Sequence, residues 1–313
     1  MPGRDHMQRL SDTAHLKWAG AVRQGRQGVF FELRTRFPDV AMEQVSKDDD
    51  AALVYRHRLP VRIMHWINVV CLALLLMSGL QIFNAHPALY WGDDSRDSTR
   101  VLQITQKQVA GQWRGVTRIG GAEFDTHGIL GMSRGPDGGY AARAFPSWAT
   151  VPGPQWLAMG RLWHFFFAWL FFINLAAYVA WTVFSGHLRR DLVPTGGELR
   201  GMGRSIRDHL LLRHPHGEAA RRYNVLQNIT YLGIVFGVLP LIVLGGWAMS
   251  PMMDAFAPGW VDWLGGRQAA RTLHFIAAWL LVAFVLVHLF EVIVTGLVNN
   301  LRSMITGYWR LPG

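Results

Sequence analysis

Long uncharged stretches interrupt an otherwise polar chain. Ile63 to Phe83, Leu162 to Phe184, Ile229 to Met249 and Thr272 to Val298 are apolar almost throughout. A helix needs roughly 20 apolar residues to cross a bilayer core, and each stretch reaches that length. Lipid offers the backbone no hydrogen bonds, so spanning segments must be helical. The pattern predicts an all-α membrane protein, a four-helix transmembrane bundle. Residues 1–54 read as a polar cytoplasmic tail, mixed in charge, with "SKDDD" near its end and Met42 as a second candidate start. Residues 55–313 read as the membrane domain. Its connections are a long outer loop, 84–160, between helices 1 and 2 and a cytoplasmic loop, 185–228, between helices 2 and 3. No shorter apolar segment precedes the first span, so that span is expected to serve as its own targeting signal.

Charge sets the expected sidedness. The segment from Ser185 to Asn228 carries eight Arg and no Lys, and Lys47, Arg56, Arg58 and Arg62 precede the first span. Near its ends the loop 84–160 has only Arg96, Arg100 and Arg143. Positive charge marks the cytoplasmic face. Both termini are therefore expected on the cytoplasmic side of a bacterial inner membrane and the long loop on the periplasmic side. That loop is rich in turn signals ("IGG", "RGPDGG", "VPGP") without strong periodicity, and it is long for a plain connector. It reads either as an unstructured connector or as a docking surface for another protein.

Composition narrows the chemistry. Cys71 is the one cysteine in the sequence, so neither a disulfide framework nor a Cys-x-x-Cys-His attachment is available. Any haem would be held without covalent bonds. The net charge of +10 needs no nucleic-acid partner, because a basic membrane face accounts for it. Trp66, Trp163 and Trp247 sit near span ends, as interfacial anchoring favours.

The histidines carry the strongest signal. In "HFIAAWLLVAFVLVHLFE", from residue 274, His274 and His288 stand fourteen residues apart. That is just under four turns, so both leave nearly the same helix face about 21 Å apart. Such a distance separates two sites, one toward each membrane surface. With the N-terminus inside, depth pairs His65 of the first span with His288, and His164 of the second with His274. Two imidazoles from different helices at one level suit the iron of a flat macrocycle. Zinc would ask for more ligands than either level offers. Arg62, Arg161 and Arg271 each precede a histidine by three residues, sharing its face on the aqueous side. They read as partners for haem propionates, or as ordinary positive flanking of the spans. His86 and His187 lie past span ends and read as interface residues, and His209, His214 and His216 as solvated. Pro240 is expected to kink the third span. Gly79, Gly233, Gly237, Gly245 and Gly246 would allow close packing or leave room for a porphyrin face.

"HW" at His65, "MSGLQI" from Met77, His164 and the His274/His288 pair together resemble the bacterial cytochrome b561 superfamily over roughly residues 55 to 310. The nearest likeness is to the b-type cytochrome subunits of membrane hydrogenases, formate dehydrogenases and thiosulfate reductases. The resemblance implies two b haems across the membrane, with electrons passing between the quinone pool and a catalytic redox subunit outside. That partner would be a molybdopterin enzyme or, alternatively, a hydrogenase. It also implies a quinone site near the cytoplasmic haem, where "RRYNVLQNITY" from Arg221 is similar to the formate dehydrogenase Tyr-Asn-x-Gly-Gln. Asn224 and Gln227 match, while Leu226 replaces the glycine. Both amides can hydrogen-bond a quinone carbonyl, and Asn224 can equally cap a helix. Glu291, one turn past His288, would relay a proton to or from quinone or pair with a surface arginine. The competing functions are a free-standing superoxide-linked cytochrome that reduces quinone and a haem-free proton-coupled transporter. A homo-oligomer is compatible with the sequence, which marks no dimer face.

Overall fold

The computed structural model describes residues 53–135, 138–186, 188, 192–211 and 225–310. The chain divides into a body, Tyr55–Trp309, and a second unit of residues 1–54 with 310–313. The account below concerns the body.

Four helices are long and apolar enough to cross a membrane. They are α1 (Leu59–Phe83), α2 (Leu157–Phe184), a third built from α3 (Val225–Gly233) and α4 (Leu239–Ala248), and α5 (Arg267–Val294). A π-helical turn, Ile234–Val238, joins α3 to α4. The cause is local: Pro240 has no N–H to return to the preceding turn, and its ring crowds the carbonyl four residues back. Widening the turn relieves both. After α5 the chain turns at Gly296, whose φ of 107° favours a residue without Cβ, and α6 (Leu297–Thr306) follows.

The helices associate as two antiparallel pairs. The backbones of α1 and α2 run closely together, as do those of α4 and α5, whereas the two pairs meet at few backbone points. Midway along, Cys71, Phe171, Leu175, Leu239 and Leu281 are buried together, so α1, α2, α4 and α5 each contribute to one apolar plug.

The connection between α1 and α2 departs from the all-α expectation. It carries strands β1 (Ala88–Tyr90), β2 (Arg100–Val109), β3 (Gln112–Ile119), β4 (Ala122–Asp125), β5 (Gly131–Arg134) and β6 (Tyr140–Arg143). The first four form an antiparallel sheet in sequence order, and β5 pairs with β6. Neither an unstructured connector nor a segment without periodicity describes it. Val109 pairs with Gln112 across a two-residue loop in which Ala110 and Gly111 both have positive φ. That is the turn whose twist matches a right-handed hairpin. The next hairpin turns at Gly120 and Gly121, pairing Ile119 with Ala122. Hairpin β5–β6 lies tightly on this sheet: a Cβ on Gly115 would meet the backbone of Leu130 and Met132.

The β module is fastened to two spans. Asn84, ending α1, accepts from Phe145 N at 2.7 Å and donates to Phe145 O at 3.3 Å. On α5, Thr272 Oγ1 donates to Tyr90 O at 2.7 Å, and Ala269 N donates to Gly92 O at 2.9 Å. At the far end, Trp66 Nε1 donates to Met304 O at 3.1 Å and Arg56 N to Gly307 O at 2.8 Å.

Candidate metal centres

Two histidine pairs bridge the gap between the helix pairs. At the module end His164 of α2 faces His274 of α5, with ring centroids 6.2 Å apart and planes at 67°. At the far end His65 of α1 faces His288 of α5, with centroids 6.3 Å apart and planes again at 67°. These are the pairings that depth predicts. Among the described residues, no three His, Cys, Asp or Glu side chains converge on a possible metal site.

The module-end rings are fixed from behind. His274 Nδ1 lies 2.7 Å from Ile242 O, a carbonyl that can only accept, so that nitrogen carries the proton. His164 Nδ1 lies 3.1 Å from Ser78 Oγ. The Ser78 hydroxyl donates to Leu74 O at 2.6 Å and so accepts from His164. In both rings Nε2 is left with its lone pair, the form a metal ligand needs. Glycine makes the approach possible. A Cβ on Gly245 would sit 3.0 Å from His274 Cβ, and one on Gly79 would sit 3.3 Å from His164 Cε1. Gly246 flanks His274 Cε1 in the same way, whereas Gly233 and Gly237 face open space.

The far-end pair is supported differently. Phe284 stacks on His288 with centroids 6.0 Å apart. Asn174 of α2 donates to Met64 O at 2.9 Å and to Asn68 Oδ1 at 2.7 Å, clasping the turn of α1 that carries His65.

This geometry fits a haem at each level. Iron with an imidazole nitrogen about 2 Å away on each side, and about 1 Å more from nitrogen to ring centre, places the centroids about 6 Å apart. Both pairs have that spacing, both lie between helix pairs whose backbones stand apart, and among the described residues neither has a third ligand that would close the coordination of a bare ion.

The arginines differ in their surroundings. Arg62 has a buried Nε with no hydrogen-bond partner. Arg161 is exposed, its guanidinium 5.6 Å from the centre of the Phe165 ring. Arg271 donates to His86 O at 2.6 Å and lies over Phe83. His86 stacks on Tyr90, and burial followed by the Arg271 charge lowers its pKa. Gln227 and Glu291 are half-buried. Asn224, His187, His214 and His216 lie outside the described residues.

Ser78, Gln81, Asn174 and Arg143 were missed as site-supporting residues. Three of them are polar side chains inside apolar spans, which is itself the available signal. Arg143 gives none, because its place depends on the fold of the module.

Residues 56–307 match the prokaryotic cytochrome b561 family. The chain is also 27% identical over 248 residues to the putative protein-methionine-sulfoxide reductase subunit YedZ1 of Azospira oryzae, covering 79% of this chain and 94% of that protein. No solved structure matches it. With the match spanning most of its length, the chain belongs to the prokaryotic cytochrome b561 family, membrane proteins that carry b-type haem.

Proposed function

We propose that this protein is the di-haem cytochrome b subunit of an inner-membrane redox complex, carrying electrons between the quinone pool and an oxidoreductase on the module side. The observation that supports this most is the pair of histidine bridges, His65–His288 and His164–His274, at two levels of one helix bundle. Haem bound at each level supplies one-electron transfer. The four imidazoles bind the irons, and the Ser78 hydroxyl and Ile242 carbonyl hold two of them in the ligating tautomer. Arg62, Arg161 and Arg271 hold propionates. The apolar plug around Cys71 and Leu281 keeps water and ions out of the space between the levels.

The arginine-rich connection supports a cytoplasmic far end and a periplasmic β module. Asn224 and Gln227 would bind quinone beside the far-end haem, with Glu291 exchanging its proton. A sheet-built module fastened to α1 and α5 suits docking of a catalytic subunit better than a loose loop would. The name of the Azospira relative makes a protein-methionine-sulfoxide reductase the first candidate partner, and a molybdopterin enzyme is the class that the resemblance implies.

The quinone link is tested by mixing the purified, haem-loaded protein with decylubiquinol and following the haem absorption bands. Rapid reduction, slowed at least tenfold in Glu291→Gln, is expected. A haem that dithionite reduces and the quinol does not would remove the quinone pool from the proposal.

A further inference from the structure

Among the described residues, the β module buries a cation without an anion. Arg143 retains 9% of its exposure at the end of β6. Its guanidinium donates to three neutral acceptors: Gly153 O at 2.7 Å, Gln81 Oε1 at 3.0 Å and Thr150 Oγ1 at 3.0 Å. Its Nε is buried with no partner. Burial presses the Arg143 pKa downward, the sign of a poorly compensated charge. A latch made only of neutral bonds needs no charge, and burying one is costly unless something anionic offsets it.

The position of Arg143 indicates what that is. Its acceptor Gln81 is three residues past Ser78 on the same face of α1, about 4.5 Å further toward the module. Ser78 is the hydrogen-bond partner of His164. Gly160, one turn before His164 in α2, packs so closely on Gln81 that a Cβ there would lie 2.8 Å from Gln81 Cγ. The guanidinium is thus held about one turn beyond the module-end histidine pair. Among the described residues, Asp254 pairs with Arg267 at 3.0 Å, and Asp93 is exposed and accepts from Arg267 N.

We infer that Arg143, which pairs with no carboxylate among the described residues, supplies a positive charge to the module-end haem site and raises that site's reduction potential. This rests on the two-haem reading. Reduced haem carries one more negative charge than oxidised haem, so a fixed cation favours the reduced form. A unit charge about 10 Å from a buried centre, at an effective dielectric near 20, biases its reduction roughly tenfold. For a one-electron couple that is about 59 mV.

The test is an optical redox titration of the full-length, haem-loaded protein. Two waves are expected in the wild type. Arg143→Met should move one of them to lower potential by about 59 mV, a tenfold change, while Arg143→Lys leaves both in place. If Arg143→Met shifts neither wave, or if Arg143→Lys shifts as far as Arg143→Met, the residue is only a latch and the inference is overturned. Should Arg143→Met not fold, Thr150→Asp places a carboxylate on the same guanidinium. It should lower the same wave, and an unmoved wave overturns the inference. Fewer than two haems in the wild type overturns the functional reading and this inference with it. Two haems with unmoved waves overturn this inference alone.

Discussion

Ser78 Oγ lies 3.1 Å from His164 Nδ1 while donating its own proton to Leu74 O, so a serine in one span sets the tautomer of a histidine in the next. Ser78 is fully buried, so water does not replace it, and the Leu75 carbonyl, which also accepts from the His164 ring, keeps only part of that ring's orientation. Ser78→Ala is expected to weaken haem retention at the module-end site by roughly tenfold, as loss of a ligand-orienting bond does elsewhere. Ser78→Thr keeps the hydroxyl and should restore most of it. Haem content during dilution or detergent washing measures both.

Gly245 brings α4 against α5 at His274. Its added Cβ would stand 3.0 Å from His274 Cβ and 3.3 Å from Ala270 O, and backbone cannot yield as a flexible side chain can. Gly245→Val should displace α5 at this level and lose the module-end haem. The His65–His288 pair, about 21 Å away along α5, should keep its own. A single haem in the pyridine haemochrome assay is the expected result.

The module is held to α1 by Asn84, whose amide satisfies both backbone groups of buried Phe145. Asn84→Ala leaves a buried N–H and C=O unpaired, a cost of about 2–3 kcal/mol. Limited proteolysis should then cut within 84–156 much faster than in the wild type, and the melting temperature should fall.

Much of this was legible in the residues. Apolar length gave the four spans, and the fourteen-residue interval between His274 and His288, combined with depth, gave both pairs. Turn signals such as "IGG" do not by themselves distinguish a β module from irregular chain. The two-residue hairpin loops at Ala110–Gly111 and Gly120–Gly121, flanked by alternating residues, carried the signal. Ser78 could have been singled out as a hydroxyl inside an apolar span, but its partner could not. The register of α1 against α2 decides which histidine it meets, and that register depends on packing such as Gly160 against Gln81. Arg143 lay beyond sequence reasoning for the same reason.

His57, just before α1, has its pKa lowered from 6.5 to about 4 by burial first, then by Arg56, His65 and Arg62. A depressed histidine pKa means that the unfolded chain binds more protons between those values. Stability should therefore be lost as pH falls from 6.5 toward about 4 and be fully present above 6.5. Melting temperatures at pH 7 and pH 5 should differ in the wild type, and the difference should shrink in His57→Gln. An equal pH dependence in both proteins would assign the acid sensitivity to another group.

The central claim is that each histidine pair holds one haem. The most direct measurement is the haem-to-protein ratio of purified wild type, His164→Ala and His288→Ala, with reduced-minus-oxidised spectra to identify b-type haem. Two haems in the wild type, one in each variant and none in the double variant is the predicted result. Wild type with a single haem, or either variant with both retained, would contradict it.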